Sequence, residues 1–397
     1  MKLLATTVVP HWVIDGRIAS FAFFVRDLRI FADFFDEVHI CAPMSEEPPA
    51  DDVVAYAGEY ALTNCPIVRG PDICSRLRRL RGMPGNIFRI MRAMRDCDAI
   101  HIRGPENMGI FGAIALLFTK KPRCAKFANQ WETWPGEPLA NKLQRWLFSR
   151  TGFGGPVTVN ALWDGNRGNV HSVFNSSITK QEVRETAELA ASKRLASPAR
   201  FLFVGRLSKM KGLDVLLKAL ARMDLSPRPT LSIVGDGRLR QEIELLASEL
   251  HLDSRVVFHG WLPPAELRKH YEQSHVLVLP SLYGEGWPKV INEAMLCGLP
   301  CISTSTSSIP KILGDNERGL LVEPGDVHGL AEAMTRLATE GELYTRLSRA
   351  GRKWIENKTR EDLMIQIKTI LEESWGVKLR VPNWMSDEGG DPCRELR

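Results

Sequence analysis

An α/β fold is predicted: two doubly wound parallel-sheet domains in one chain of 397 residues. Three observations predict it. Short apolar runs alternate with longer stretches of helical periodicity along the whole chain. Several of those runs end in glycine or proline, as at FLFVG, LSIVG, RVVFHG and HVLVLP. The length suits two domains of ordinary size, each with its own core.

In the first half, LLATTVVP reads as a strand, Arg17 to Phe35 as a helix, and EVHICAP as a second strand ended by Pro43. Ser45 to Asp52 is an acidic, proline-containing loop. DAIHIRGP is a further strand, followed by a helix from Met108 to Phe118. A strand near Cys124 to Phe127, a loop with Trp131 and Trp134, and a helix from about Glu137 to Phe148 come next. VTVNA and HSVF are the last strands before a helix and linker over Thr179 to Ser197. The second half repeats the pattern with the four glycine- or proline-ended strands and LPCIST. Helices over Val327–Ala338, Glu342–Glu356 and Glu361–Trp375 follow. The boundaries expected are 1–180, 181–358 and 359–397, the last comprising a helix that returns to the first domain through Leu363, Ile367, Ile370 and Leu371, and then a polar tail.

Composition is that of a soluble globular protein, and no apolar run is long enough to span a bilayer. MKLLATTVVPHW turns polar too soon for a secretory signal. The eight cysteines are scattered without a CxxC pair, so a disulfide framework and a zinc site are not expected, and a cytoplasmic location fits. Residues 1–180 hold 22 Lys and Arg against 17 Asp and Glu, whereas 181–397 hold 30 of each. Much of the excess is local: Arg69 to Arg95 contains eight arginines and one acid, Asp72. Ile73, Leu77 and Leu80 form one apolar stripe there, and Ile87, Ile90, Met91 and Met94 another. Basic amphipathic helices of this kind either pack on a sheet or lie on an anionic membrane. A pI near 8.7 with a neutral second half argues against nucleic acid as partner.

Two stretches of the second half carry chemistry. In PSLYGEGWPKVINEAMLCGLP, Glu285 lies on a loop at a strand's carboxyl end, and Glu293 lies in the following helix, seven residues between them. In FLFVGRLSKMKGLDVLLKAL, Arg206, Lys209 and Lys211 occupy a strand-to-helix loop, with Leu213, Leu216, Leu217 and Leu220 at helical spacing behind. An open α/β sheet binds ligands at such loops, where helix amino termini favour phosphate. Carboxylates beside them suit a ligand that also carries hydroxyls, as a nucleotide sugar does.

Gly205-Arg206 with Lys211-Gly212, then Glu285 and Glu293, resemble in order and separation the donor-site motifs of family 4 glycosyltransferases, retaining enzymes with the two-lobed GT-B fold. The resemblance is strong from Phe201 to about Glu340. It implies two Rossmann-like domains facing across a cleft, the second binding a nucleoside diphosphate sugar as co-substrate and the first a glycan or lipid-linked acceptor. Arg206 and Lys211 would take the diphosphate, Glu293 the ribose hydroxyls, and Glu285 the donor sugar and the charge developing at its anomeric carbon. Gly205, Gly286, Trp287, Lys289, Val290 and Leu262 would complete the donor site.

The sequence departs from the family in places. Gly286-Trp287-Pro288 stands where Gly-Phe-Gly is usual, and Asp15-Gly16 is what remains of a glycine-rich turn. Arg103 replaces the second histidine of a His-x-His segment, with His101 expected in the core. Asp15, Gly16 and Arg103 are therefore the acceptor-side candidates. Asn175 matches a junction asparagine. The single Asp-x-Asp match, Asp96-Cys97-Asp98, precedes a strand and so lies at its wrong end; no metal is expected, fixed cations serving instead. The alternatives are a nucleotide-sugar epimerase or a non-catalytic sugar-binding protein of the same fold. A Rossmann oxidoreductase is disfavoured because VVPHWVIDG supplies no G-x-G-x-x-G.

Overall fold

The computed structural model describes residues 1–47, 53–67, 73–129, 131–133, 137–162 and 168–382, without the side chains of 73–80 and 151. Trp134, the end of the acidic loop, the first arginines and their Ile73 stripe, and the tail beyond residue 382 lie outside that description. The chain divides into two compact units.

The first unit holds Met1–Val173 and the chain from Leu363. In order, it contains β1 (Lys2–Thr6), β2 (His11–Ile14), β3 (Arg17–Phe21), α1 (Ala22–Ala32), β4 (Glu37–Ala42), β5 (Val53–Ala55), β6 (Glu59–Asn64), α2 (Ile73–Arg95), β7 (Ala99–Gly104), α3 (Asn107–Ala115), β8 (Arg123–Phe127), α4 (Leu139–Phe148), β9 (Val157–Asn160) and β10 (Val170–Val173). Seven parallel strands run β10-β9-β8-β7-β1-β4-β6. Alternate side chains feed two cores: Leu4 and Cys41 face one, Ala5 and Ile40 the other. Phe24, Val25 and Leu28 of α1 cover the second core, and Ile90 and Met94 of α2 with Met108 and Phe111 of α3 cover the first.

The structure departs from the sequence reading at several points. Arg17–Phe21 is a strand, not the start of a helix; it pairs with β2 in a small antiparallel sheet, and Asp15 and Gly16, at φ 50° and 74°, form the two-residue turn between them. Positive φ at both central residues is what such a hairpin needs, so Asp15-Gly16 is a hairpin turn and not a glycine-rich loop leading into a helix. The arginine-rich segment is one helix, Ile73–Arg95, continuing through Pro84. Its second stripe is not open to a membrane: Ile90 and Met94 are buried, and Ile87 and Met91 pack against the same core. The edge strand β6 and the short β5 were not expected at all.

The second unit, Phe174–Asp362, contains α5 (Lys180–Glu185), α6 (Ala187–Ser192), β11 (Arg200–Val204), α7 (Leu213–Arg222), β12 (Thr230–Val234), α8 (Arg240–Glu249), β13 (Val256–Gly260), α9 (Pro264–Gln273), β14 (Val276–Leu279), α10 (Lys289–Leu296), β15 (Cys301–Thr304), α11 (Ile309–Leu313), β16 (Gly319–Val322), α12 (Val327–Thr339) and α13 (Gly341–Ile355). Its sheet is parallel in the order β13-β12-β11-β14-β15-β16. Leu213, Leu216, Leu217 and Leu220 of α7 are buried, as their spacing requires. A final helix, α14 (Arg360–Trp375), belongs to the first unit from Leu363 on; its Trp375 Nε1 donates to the Arg123 carbonyl at 3.0 Å. Among the described residues no helix is long and apolar enough to cross a membrane, and the six described cysteines are buried and free.

Candidate active site

From β11 the second unit's chain moves outward through β12 to β13, then returns to start again at β14 on the other side of β11. The loops after β11 and β14 therefore diverge from neighbouring strands at a topological switch point, where open α/β sheets bind ligands. The first loop carries Arg206 and Lys211, the second Glu285.

Backbone contacts stitch the two loops together. Leu282 N donates to the Met210 carbonyl at 2.7 Å. Gly212, at φ 63°, passes so close to Pro280 that an added Cβ would lie 2.2 Å from its carbonyl oxygen. Only glycine accepts both that conformation and that approach. Lys211, one residue earlier, is thereby delivered to the second loop, where its Nζ pairs with Glu285 Oε1. The same oxygen accepts from Ser281 Oγ at 2.6 Å, and Glu285 is 6 % exposed. A buried carboxylate is tenable only with such partners.

Glu293 is the fifth residue of α10, half-buried, and its Oε2 accepts from the Tyr271 hydroxyl at 2.8 Å. Burial, reinforced by that carboxylate, pushes the Tyr271 phenol well above its ordinary range, so it stays a donor. Arg206 is exposed and forms no ion pair among the described residues. Gly205 closes β11, with its N donating to the Val234 carbonyl at 3.0 Å. The Gly286 carbonyl accepts from Ser308 Oγ. Pro288 is the N-cap of α10, and Lys289 and Val290 open the helix half-exposed. Trp287 is buried beside Trp354 and Phe174, ring centroids 6.3 and 6.4 Å away, and its Nε1 has no partner among the described residues. Leu262 lies half-buried on the loop after β13, three strands from β14. Asn175 accepts at its backbone carbonyl from Asn292 Nδ2 at 3.0 Å.

In the first unit Arg103 is the next-to-last residue of β7 and is held between two acids, Asp27 and Glu106 (Nε to Oε1, 2.9 Å). Asp27 also pairs with buried Lys126, and Glu106 accepts from Val8 N at 2.9 Å. Arg103 is thus a tethered cation at that sheet's own switch point, between β1 and β7. His101 is a core residue: its ring lies 4.3 Å from Phe31, and burial lowers its pKa to about 3. Asp15 and Gly16 form the hairpin turn between β2 and β3. Asp96-Cys97-Asp98 precedes β7, with Asp98 accepting from Lys2 N at 2.7 Å. Sequence reasoning missed Ser281, Tyr271 and the Asp27–Lys126–Glu106 set. Ser281 had a weak signal, four residues before Glu285 at a strand end; the others had none.

Residues 186–354 match the family model of glycosyl transferases group 1. The chain carries a group 1 glycosyl transferase domain. Both motif stretches fall inside that transferase domain. It is similar to the D-inositol 3-phosphate glycosyltransferase of Corynebacterium jeikeium (strain K411), 34% identical over 149 residues, 36% of this chain and 35% of that one. It also resembles the lipopolysaccharide core biosynthesis glycosyltransferase LpsE of Rhizobium meliloti (strain 1021), 30% identical over 183 residues, 43% of this chain and 52% of that one. The matched stretches thus span about a third to a half of these curated relatives. Among solved structures, Anabaena Alr3699/HepE, crystallised with UDP, aligns with a TM-score of 0.69 at 17% identity over 94% of this chain and 100% of its own. WaaG, a glycosyltransferase involved in lipopolysaccharide biosynthesis, aligns with a TM-score of 0.64 at 14% identity, over 94% and 100%. The fold class expected from the sequence, GT-B with two Rossmann-like domains, holds.

Proposed function

We propose that the chain is a family 4 retaining glycosyltransferase, moving a sugar from a nucleoside diphosphate sugar to a glycan or lipid-linked acceptor. The observation that carries this reading is the meeting of Lys211 and Glu285 at the switch point of the second sheet, with Glu293 on the helix that follows. When the bond from the anomeric carbon to the diphosphate breaks, negative charge grows on the departing oxygen. Lys211 and the exposed Arg206 supply positive charge for it, Arg206 as a planar fork and Lys211 as a mobile point charge. Glu293 accepts from ribose hydroxyls, and Glu285 faces the sugar and the positive charge developing at its anomeric carbon. Same-face attack, with the departing phosphate taking the acceptor's proton, retains the anomeric configuration. Gly205, Gly286, Trp287, Lys289, Val290 and Leu262 complete the donor site in this reading, and Asp15, Gly16 and Arg103 are the acceptor-side candidates.

The relatives' names support a place in polysaccharide or lipopolysaccharide-type assembly. An enzyme of that kind would work in the cytoplasm, at the inner membrane face. The Anabaena protein's complexes with UDP and UDP-glucose make these the first ligands to try. The test is a thermal-shift series with UDP, GDP and ADP, then product analysis with the sugar form of the nucleotide that binds, with and without EDTA. Transfer with retained configuration in EDTA is expected. Binding of none of the three nucleotides would sink the reading, dependence on added metal would remove the cation assignment, and donor turnover without any acceptor would favour an epimerase.

A further inference from the structure

We propose that α4 of the first unit is a docking surface for an anionic lipid bilayer. It carries more apolar surface than the core uses: Phe148 is buried and Leu147 packs on the core, yet a second apolar stripe faces outward. The side chains it buries are Gln144 and Phe148, and Gln144 Oε1 accepts from Glu106 N at 3.1 Å. The opposite side exposes Leu139, Leu143 and Trp146, at 80%, 48% and 52%. These three stand at i, i+4 and i+7, one continuous stripe along the helix. A helix that merely packs on a sheet would turn such a stripe inward.

The charges beside the stripe select the occupant. Lys142, within the helix, and Arg150, just past its end, are exposed, and the Arg150 guanidinium lies over the Trp146 ring, 4.8 Å from its centroid. The helix contains no acid, and Glu137, just before it, is buried and ion-paired to Arg145 at 2.6 Å. Exposed leucines, a tryptophan and unopposed cations are the composition of a helix that lies in a headgroup layer, with its apolar side in the acyl boundary. The arginine-rich helix α2 lacks that freedom, because its described stripe is spent on the core.

The experiment is flotation of the full chain with two kinds of vesicle: pure phosphatidylcholine, and the same lipid with about a third phosphatidylglycerol. Flotation with the anionic vesicles, and its loss at roughly 0.5 M salt, are expected. Leu143→Glu with Trp146→Glu should lower the bound fraction at least about ten-fold while leaving the melting temperature unchanged, since both side chains face solvent. Phe88→Glu, at an exposed position of α2, should float like the wild type. Failure to float, flotation of the double variant like the wild type, or an equal loss from Phe88→Glu would overturn the assignment. So would a lipid-free dimer, seen by light scattering and abolished by the double variant, because the stripe would then belong to a second copy.

Discussion

The Tyr271 hydroxyl donates to Glu293 Oε2 at 2.8 Å from a side chain only 3 % exposed. The phenol reaches the carboxylate from α9 and so fixes its orientation before any ligand arrives. A hydrogen bond to a charged group contributes about 1.5–3 kcal/mol. Tyr271→Phe should therefore raise the donor KM roughly ten-fold and leave kcat near its wild-type value, because ribose is held alike in ground and transition states. Steady-state kinetics at varied donor decide the matter. Equal falls in kcat and kcat/KM would mean that Tyr271 acts at the reacting centre instead.

Lys211 and Glu285 are each other's partner, so their individual replacements should not behave alike. Lys211→Ala leaves a buried carboxylate with Ser281 as its remaining partner, which should cost about 3 kcal/mol of stability. Transfer should fall about hundred-fold with the lost cation. Adding Glu285→Gln removes the stranded charge, so the double variant should recover most of the stability and none of the activity. Denaturant unfolding and initial rates on the same preparations test both halves. Recovery of activity in the double variant would show that Lys211 serves only to neutralise Glu285.

Much of this site was legible because its parts obey local rules. Strands ending in glycine or proline, helices with leucines at i, i+3, i+4 and i+7, and cations on a strand-to-helix loop are short-range patterns, and the structure follows them. The misses have physical causes. Asp15-Gly16 between HWVI and RIAS is a hairpin signal, but the apolar run after it continues unbroken into α1, which hid the strand Arg17–Phe21. Residues 59–64 form an edge strand whose side chains are half-exposed on both faces, so they show no alternation. Pro84 would normally end a helix, yet α2 passes through it. No spacing rule links Tyr271 to Glu293; their contact exists only once α9 packs beside α10.

Gly212 tests the geometry without touching charge. Its φ of 63° and the Pro280 carbonyl 2.2 Å from a would-be Cβ leave backbone against backbone, with no flexible side chain to yield. Gly212→Ala should cost about 2–4 kcal/mol and lower transfer as Lys211 is pulled from Glu285. Gly341→Ala, at the start of α13 with nothing within 4 Å of its Cβ position, is the matched control and should stay within about 0.5 kcal/mol of wild type. Chemical denaturation of both variants is sufficient. Equal stability would mean that the two loops are not held as close as the Leu282–Met210 hydrogen bond implies.

His101 gives the first unit an acid-sensitive core. Burial holds its pKa near 3, against about 6.5 in the unfolded chain, and neither ring nitrogen has a hydrogen-bond partner among the described residues. Below pH 6.5 the unfolded chain takes up the proton that the folded one refuses, so stability is complete above that pH and is lost progressively down to about 3. At pH 5 the loss should reach about 2 kcal/mol from this residue alone. His11, whose pKa burial lowers to about 4, adds a similar loss over the upper part of the same window. His101→Leu keeps the apolar contact with Phe31 and removes the titration. Its unfolding free energy should therefore fall less between pH 7 and pH 5 than that of the wild type, by about 2 kcal/mol, while His11, His275 and the other histidines whose pKa burial lowers, His39, His171 and His259, carry the decline that remains. Parallel pH profiles for the two proteins would show that His101 is already satisfied as a cation and is not the neutral core residue its surroundings require.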